Sequence, residues 1–296
     1  MIERRNELVT VFGGGGFIGR YVCEYLFKMG VRLRVASRDP RRAYAIQPLG
    51  QVGQLGFVRA DLTDRRSIDR AVEGARHVAE AARAIGASAL VHVSAIGADP
   101  QSESAYGRSK GEGEAAVRKA FPKATIIRPS LVFGPEDELT NRFATMANLP
   151  FLPVLAAKRS FQPVYVRDLG QAIGKAALDP ISHGGKVYEI GGPQVMSMVE
   201  LHRAVLELSG QDSDVVELPD AVGNLLSKFG WLPGAPLTRD QWLMLQRDNV
   251  PAKGAPGLEA FGIRPTPLAA VGTEWLGRFH KGGKFAGRRI NLTATN

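Results

Sequence analysis

The first half of the chain alternates short apolar runs with stretches in which apolar residues recur at three- and four-residue spacing. The runs are Leu8–Phe12, Val31–Ala36, Gly56–Leu62, Ala89–Ser94 and Ala124–Ile127, each of the length of a buried strand. An amphipathic helix opens at a glycine turn after the first run. Ile68, Ala71, Val72, Ala75, Val78, Ala79, Ala82 and Ile85 share one face of a helix over Ile68–Ile85 that Thr63 or Asp64 can cap. Ala105–Ala120 reads as a third helix. Strands alternating with helices predict an α/β fold, a doubly wound parallel Rossmann sheet that takes its ligands at the carboxyl ends of the strands.

Beyond residue 135 the pattern loosens. Val164–Val166 and Val187–Ile190 read as short strands, and Asp168–Leu178, Val199–Ser209 and Thr238–Asn249 as helices, with proline and glycine frequent from Pro219 to Pro267. The division expected is a Rossmann domain over residues 1–150 and a smaller, irregular C-terminal lobe over 151–296, interleaved with the sheet near 164–191. Trp231, Trp242 and Trp275 sit among apolar neighbours and read as packing residues.

The glycine turn carries the first candidate chemistry. Gly13, Gly16 and Gly19 are spaced three apart between a strand and a helix, with a second strand following. In a dinucleotide site the first glycine permits the tight turn, the second lets backbone N–H groups approach a pyrophosphate, and the third allows close helix packing. The helix start then presents unpaired N–H groups and a positive dipole end to the phosphates. An NAD site would place a carboxylate at the end of the second strand to bind the ribose 2′-OH. Here Ser37 and Arg38 occupy that place, followed by Arg41 and Arg42. A guanidinium and a hydroxyl suit a 2′-phosphate that a carboxylate would repel, so the expected cofactor is NADP(H) rather than NAD(H).

Tyr106 and Lys110 form the second constellation, a phenol and an ammonium one helical turn apart on the same face. The ammonium is expected to lower the phenol pKa toward the range of a general acid or base, and it can also reach ribose hydroxyls. Ser94, at the carboxyl end of its strand, can hydrogen-bond a substrate carbonyl. The five histidines are scattered without ligand spacing, and no metal site is expected. Glu136-Asp137-Glu138 reads as a solvated acidic loop or a docking contact.

Composition adds bounds. An apolar fraction of 44% can bury a sizeable core, and the single Cys23 rules out an intrachain disulfide. No apolar run approaches a membrane span, and a strand begins within seven residues of Met1, which leaves no room for a signal peptide. A cytoplasmic location is expected. The net charge of +9 is concentrated at Arg4–Arg5, Arg32–Arg42 and the tail, where Arg278, Lys281, Lys284, Arg288 and Arg289 are interleaved with Phe279 and Phe285. Such a tail suits a protein groove or an anionic membrane surface, placing the protein peripherally on the inner face of the cytoplasmic membrane. No nucleic-acid-binding motif accompanies the charge.

Taken together, Gly-Gly-Gly-Gly-Phe-Ile-Gly (13–19), Ala-Asp-Leu (60–62), Tyr106 with Lys110, Arg128-Pro129-Ser130 and Val164-Tyr165-Val166-Arg167-Asp168-Leu169 resemble an extended or atypical short-chain dehydrogenase/reductase. The segment from Arg128 through Glu136-Asp137 to Asn141-Arg142-Phe143-Ala144 is similar to the Rossmann-fold accessory subunit of mitochondrial respiratory complex I and its bacterial relatives. So are Leu237-Thr238-Arg239-Asp240-Gln241, Asp248-Asn249 and Gly262-Ile263-Arg264-Pro265. The resemblance implies cofactor contacts at Phe17, Ile18, Asp61, Leu62 and Pro129, beside Gly13, Gly16, Gly19, Ser37, Arg38 and Lys110. It also implies an accessory or assembly role in a respiratory NADH:quinone oxidoreductase, with a structural NADP(H). The alternative is a working reductase, dehydrogenase or nucleotide-sugar epimerase, with Tyr106 as general acid/base, Lys110 positioning the ribose and Ser94 orienting the substrate.

The chain departs from that family in one place. Thr63–Ser88 reads as one helix where a doubly wound sheet of this type expects a helix, a strand and a second helix. The expected strand, resembling Val-Val-Asn-Leu-Val-Gly, would fall between Ala75 and Arg76. Two readings follow: Ala89–Ser94 pairs directly beside Leu8–Phe12, or a strand-bearing segment that the native protein has, for instance a mobile stretch, is missing from this sequence, and the second is favoured.

Overall fold

A computed structural model describes residues 7–60, 69–149, 151–231 and 237–280. The strand β1 (Leu8–Phe12) leads through the glycine turn into α1 (Phe17–Lys28), and β2 (Arg32–Ser37) and β3 (Leu55–Arg59) follow. All three pair in parallel in the order β1-β2-β3, with Leu8 opposite Arg32 and Leu33 opposite Leu55. The link from β2 to β3 is a 3-10 helix, Pro40–Leu49, which the periodicity does not announce; Asp39 caps it by accepting from the N–H of Arg41.

A second parallel sheet holds β4 (Val91–Val93), β5 (Thr125–Pro129) and the strand Val187–Ile190, with β5 in the middle. The helices α2 (Asp69–Ala84) and α3 (Ala105–Ala120) cover one of its faces through Ala79, Val117, Phe121, Ala124 and Ile126. The helix α5 (Val166–Leu178) lies on the other face beside α1. One core joins Val22, Cys23 and Leu26 of α1 to Leu33 and Val35 of β2, Ile127 of β5 and Leu169 and Ile173 of α5. Val9, Val11, Val91 and Val93 pack against it from both sheets. The parallel α/β architecture expected from the sequence is therefore present.

The direct pairing of β4 beside β1 does not form. Among the described residues β1 has a ladder partner on one side only, β2, and β4 likewise has only β5. The α1–α5 layer packs against strands of both sheets. Parallel strands normally have both faces covered. Here Leu8 is 49% and Phe12 41% exposed, in the strand that should be most central.

The C-terminal lobe is built from short pairings: Val132–Phe133 with Val164–Tyr165, Ser160–Phe161 with Met196–Ser197, and Phe151–Val154 with Asp214–Glu217. Phe133, Val154, Val166, Leu201 and Leu276 form its core with Trp275, which is buried, as is Trp242. Trp231 is not a packing residue: it is 78% exposed, next to exposed Phe229. The acidic loop is exposed at Glu136 and Glu138, as a solvated loop would be, yet it is anchored. Glu136 accepts from Arg20 at 2.9 Å and from the hydroxyl of Tyr21 at 2.6 Å, and buried Asp137 caps α4 (Glu138–Met146) through the N–H of Thr140. These bonds tie the segment 134–141 to α1.

Candidate functional site

The glycine turn has the geometry of a phosphate cradle. Gly13 has φ +73°, open to glycine at little cost, and its N–H donates to the carbonyl of Ala36 at 2.9 Å. Gly16 is the N-cap of α1 and donates to Gly13 at 2.9 Å; no side chain caps the helix, so its first N–H groups face outward for an anion. A Cβ at Gly19 would collide with the carbonyl oxygen of Gly13, so the third glycine serves the packing of α1 onto the turn itself. Phe17 and Ile18 turn inward. Phe17 packs edge-on against Tyr21, and Ile18 touches both the sheet core and the lobe core, leaving backbone alone at the turn.

At the end of β2, the Ser37 hydroxyl donates to the carbonyl of Asp39 at 2.9 Å, and Arg38 is exposed. Asp39, which the reading of the sequence passed over, lies 3.4 Å from the guanidinium Nε of Arg41. A carboxylate therefore stands beside Ser37 and Arg38, paired with an arginine. The side chain of Arg42, like Asp61 and Leu62, lies outside the described residues.

Ser94 follows β4 and is 3% exposed. Its N–H donates to Ile127 at 2.7 Å, while among the described residues its Oγ has no hydrogen-bond partner. A buried hydroxyl left unpaired is costly unless something meets it. Pro129 is in β5, where its carbonyl accepts from Ile96 at 3.1 Å, just beyond Ser94.

Tyr106 and Lys110 come together on the first turns of α3, the ammonium 5.5 Å from the ring centroid. The expected lowering of the phenol pKa is not what this environment produces. Desolvation pushes Tyr106 up and Lys110 down, Glu114 opposing the latter, and loss of hydration outweighs the ammonium's field on the phenol. Tyr106 is still 41% exposed and borders a cavity of about 40 Å³ with Ile96, Ser102, Met244 and Arg247. That volume holds a water or two rather than a sugar nucleotide.

Two contacts that position this helix were not foreseen. Asp240, from the helix Arg239–Leu245 of the other lobe, accepts from the N–H groups of Ala105 and Tyr106 at 2.6 and 3.2 Å. Arg128 donates to both oxygens of Glu114 at 2.8 and 2.7 Å and to Glu189 at 3.2 Å, fastening α3 to β5. Arg128 is thus a strut within the sheet. Ser130 lies 2.7 Å from the carbonyl of Asn249, and Asp168 accepts from the N–H of Thr266 at 2.7 Å, so the resembling segments near 248 and 264 are pins between lobe and sheet. Among the described residues no group of histidine, cysteine or acidic side chains is arranged to hold a metal ion.

A Rossmann sheet with a glycine turn, a Tyr-x-x-x-Lys helix and a serine on the intervening strand defines a nucleotide-binding protein of the dehydrogenase/epimerase class. Residues 9–96 match the NAD dependent epimerase/dehydratase family and residues 58–222 the RmlD substrate binding domain. The chain belongs to the atypical short-chain dehydrogenase/reductase family. It is 33% identical to the mitochondrial NADH dehydrogenase [ubiquinone] 1 alpha subcomplex subunit 9 of Mus musculus, over 92% of this chain and 80% of that one. It is 29% identical to the ceramide reductase of Caulobacter vibrioides, over 80% and 82%. Among solved structures, dTDP-glucose 4,6-dehydratase from Bacillus anthracis with NAD is similar in fold (TM-score 0.68, 18% identity, 91% of this chain and 95% of that one). So is an NADPH-dependent quinone oxidoreductase from Escherichia coli with NADPH (0.66, 18%, 90% and 99%).

The lengths of these matches bear on the divided sheet. The 302 positions aligned with the mouse subunit take in 92% of 296 residues, about 272, so about thirty positions of the match have no counterpart here. The 268 positions aligned with the ceramide reductase take in 80%, about 237, and leave a similar number.

Proposed function

We propose that this protein is an NADP(H)-binding accessory subunit of a respiratory NADH:quinone oxidoreductase, in which the nucleotide stabilises the fold. The observation that carries the reading is the similarity to subunit 9 of the mitochondrial complex over most of both chains. The division into a Rossmann part over 1–150 and a lobe over 151–296 belongs to the same reading. The lobe and the segment 134–141 form the surface toward the complex. The basic tail, of which residues 281–296 lie outside the described residues, meets an anionic membrane surface. No described helix is long and apolar enough to cross a membrane, and attachment is peripheral, on the inner face.

In this reading the N–H groups at the start of α1 and the turn Gly13–Gly16 hold the pyrophosphate, with Phe17, Ile18 and Gly19 keeping the turn in shape. Ser37 and Arg38 hold the 2′-phosphate, Asp61 and Leu62 border the adenosine, and Lys110 and Pro129 border the nicotinamide ribose. A bound NADPH supplies a hydride; whether the chain spends it rests on Tyr106. A ligand present at 100 times its dissociation constant adds about 2.7 kcal/mol of stability, enough for a structural role.

The second reading, an NADPH-dependent reductase, dehydrogenase or epimerase, is favoured by the Tyr106–Lys110 pair with the Ser94 hydroxyl and by the likeness to ceramide reductase. There Tyr106 moves a proton to or from the substrate oxygen, Ser94 orients that oxygen and Lys110 holds the ribose. The two are separated by affinity purification of the tagged chain from membranes of its native host. Recovery of respiratory NADH:quinone oxidoreductase subunits supports the first; a chain that leaves the membrane alone overturns it.

A further inference from the structure

The strand β4 and the residue that follows it carry two buried polar atoms that the fold does not satisfy. Val91 and Val93 pack toward the α1–α5 core, so by alternation His92 and Ser94 face the other side, under α3. Among the described residues neither the Nε2 of His92 nor the Oγ of Ser94 has a hydrogen-bond partner, and both atoms are buried. Leaving such atoms unmet costs stability, so each calls for a group to meet it.

The helix above supplies the room. Val117, Gly113, Lys110 and Tyr106 follow one another along a single stripe of α3. Gly113 faces His92: beyond the helix backbone, a Cβ built there would have one described neighbour within 4 Å, the Nε2 of His92 at 3.8 Å. Tyr106 borders the cavity that Ile96 also lines. As the chain advances from His92 to Ile96 the helix thus retreats from Gly113 to Tyr106, which sets Lys110 across from Ser94. Gly107 and Gly111 are demanded by close approach, since a Cβ would press on the Ser102 side chain and on the Pro100 backbone. Gly113 meets no such crowding, although an interior glycine weakens a helix relative to alanine. Its use is the space it keeps beside the imidazole.

We propose that this space holds an interior water that fixes the Lys110 ammonium. The water accepts from Lys110 and from the Ser94 hydroxyl and donates to the Nε2 of His92, which makes His92 a positioning residue for Lys110. A neutral imidazole offers that lone pair. Burial, with the Lys110 charge adding to it and Glu114 opposing, keeps the imidazole neutral. One water satisfies both orphaned atoms and gives a fixed direction to the ammonium, which lies 5.5 Å from the Tyr106 ring centroid. The inference rests on Lys110 as a contact of the nicotinamide ribose, so its consequence is nucleotide affinity.

The test compares the full chain with three variants. His92→Phe removes the acceptor, His92→Gln retains one in its carboxamide oxygen, and Gly113→Ala takes up the space without a clash. The expected result, by calorimetry, is NADPH binding about ten-fold weaker in His92→Phe and in Gly113→Ala, and close to parental in His92→Gln. Gly113→Ala should show that loss with a melting temperature close to the parent's, the gain in helix propensity offsetting the lost water. In nitrogen NMR spectra of the nucleotide-free chain, the His92 Nε2 resonance should move on Gly113→Ala while those of His183 and His202 stay. NADPH binding unchanged by His92→Phe and Gly113→Ala, or an unmoved Nε2 resonance, overturns the proposal and leaves the proposed function standing. So does a loss of affinity that follows the melting temperature through all variants, His92→Gln included. A parent chain that binds no NADPH overturns both.

Discussion

The carboxylate of Asp240 closes the first turn of the helix that carries Tyr106, accepting from the N–H of Ala105 at 2.6 Å and from that of Tyr106 at 3.2 Å. With Ser104 accepting from Gly107 at 3.3 Å, three of the helix's orphan donors are met, two of them by a residue of the other lobe. The lobe and the candidate site are thereby one mechanical unit. Asp240→Ala should lower unfolding free energy by about 1–2 kcal/mol, and Asp240→Asn by less, as read from urea midpoints. Unchanged midpoints would remove the bridge from the account.

Arg38 should discriminate between cofactors. Exposed at the end of β2, it has no role in the core, so Arg38→Ala should leave the melting temperature of the free protein unchanged. It should weaken NADPH about ten-fold and NADH hardly at all, by calorimetry. Equal losses for both nucleotides would sink the 2′-phosphate assignment.

Tyr106→Phe separates holding the nucleotide from spending it. Among the described residues the hydroxyl has no hydrogen-bond partner, so the variant should bind NADPH as the parent does. If the nucleotide is structural, it should also melt at the same temperature with the nucleotide bound. Loss of a measurable NADPH oxidation on this single change would instead establish the reductase reading.

Acid should destabilise the protein through three histidines whose pKa desolvation lowers, His92, His183 and His202. Burial holds His202 down to about 4 despite its hydrogen bond to the Met198 carbonyl, and burial, with Lys110 adding to it, holds His92 near the same value. The unfolded chain takes up these protons near pH 6.5, so the folded state is fully favoured above that pH and loses stability as pH falls from 6.5 toward 4. His202 and His92 each account for about 2–3 kcal/mol between pH 7 and pH 4.5. His202→Phe, which keeps the stack on Phe143, should visibly reduce the pH dependence in denaturation experiments. A profile unchanged by the substitution would contradict the assignment.

Much of this was legible in the sequence because it is local. The β1–turn–α1–β2 unit, the Tyr106–Lys110 spacing and the break between β3 and β4 each follow from periodicity within a few tens of residues. What was not legible depends on distant partners. Asp240 reaches Tyr106 across 134 residues, and Glu136 reaches Tyr21 across 115, which anchors a loop whose Glu136 and Glu138 stay exposed. Trp231 shares its apolar surroundings with Trp242 in sequence but not in space. The direction of the Tyr106 pKa escaped for the same reason: a neighbouring charge can be read from spacing, whereas the loss of water around both groups cannot.

The central claim is a bound NADP(H) that is kept rather than consumed. The most direct measurement is to release and identify the nucleotide from the purified full chain, then follow NADPH absorbance with quinones, nucleotide sugars and simple carbonyls. The account predicts stoichiometric NADP(H) and no turnover with any of them. NAD(H) in its place, no nucleotide at all, or sustained NADPH oxidation abolished by Tyr106→Phe would contradict it.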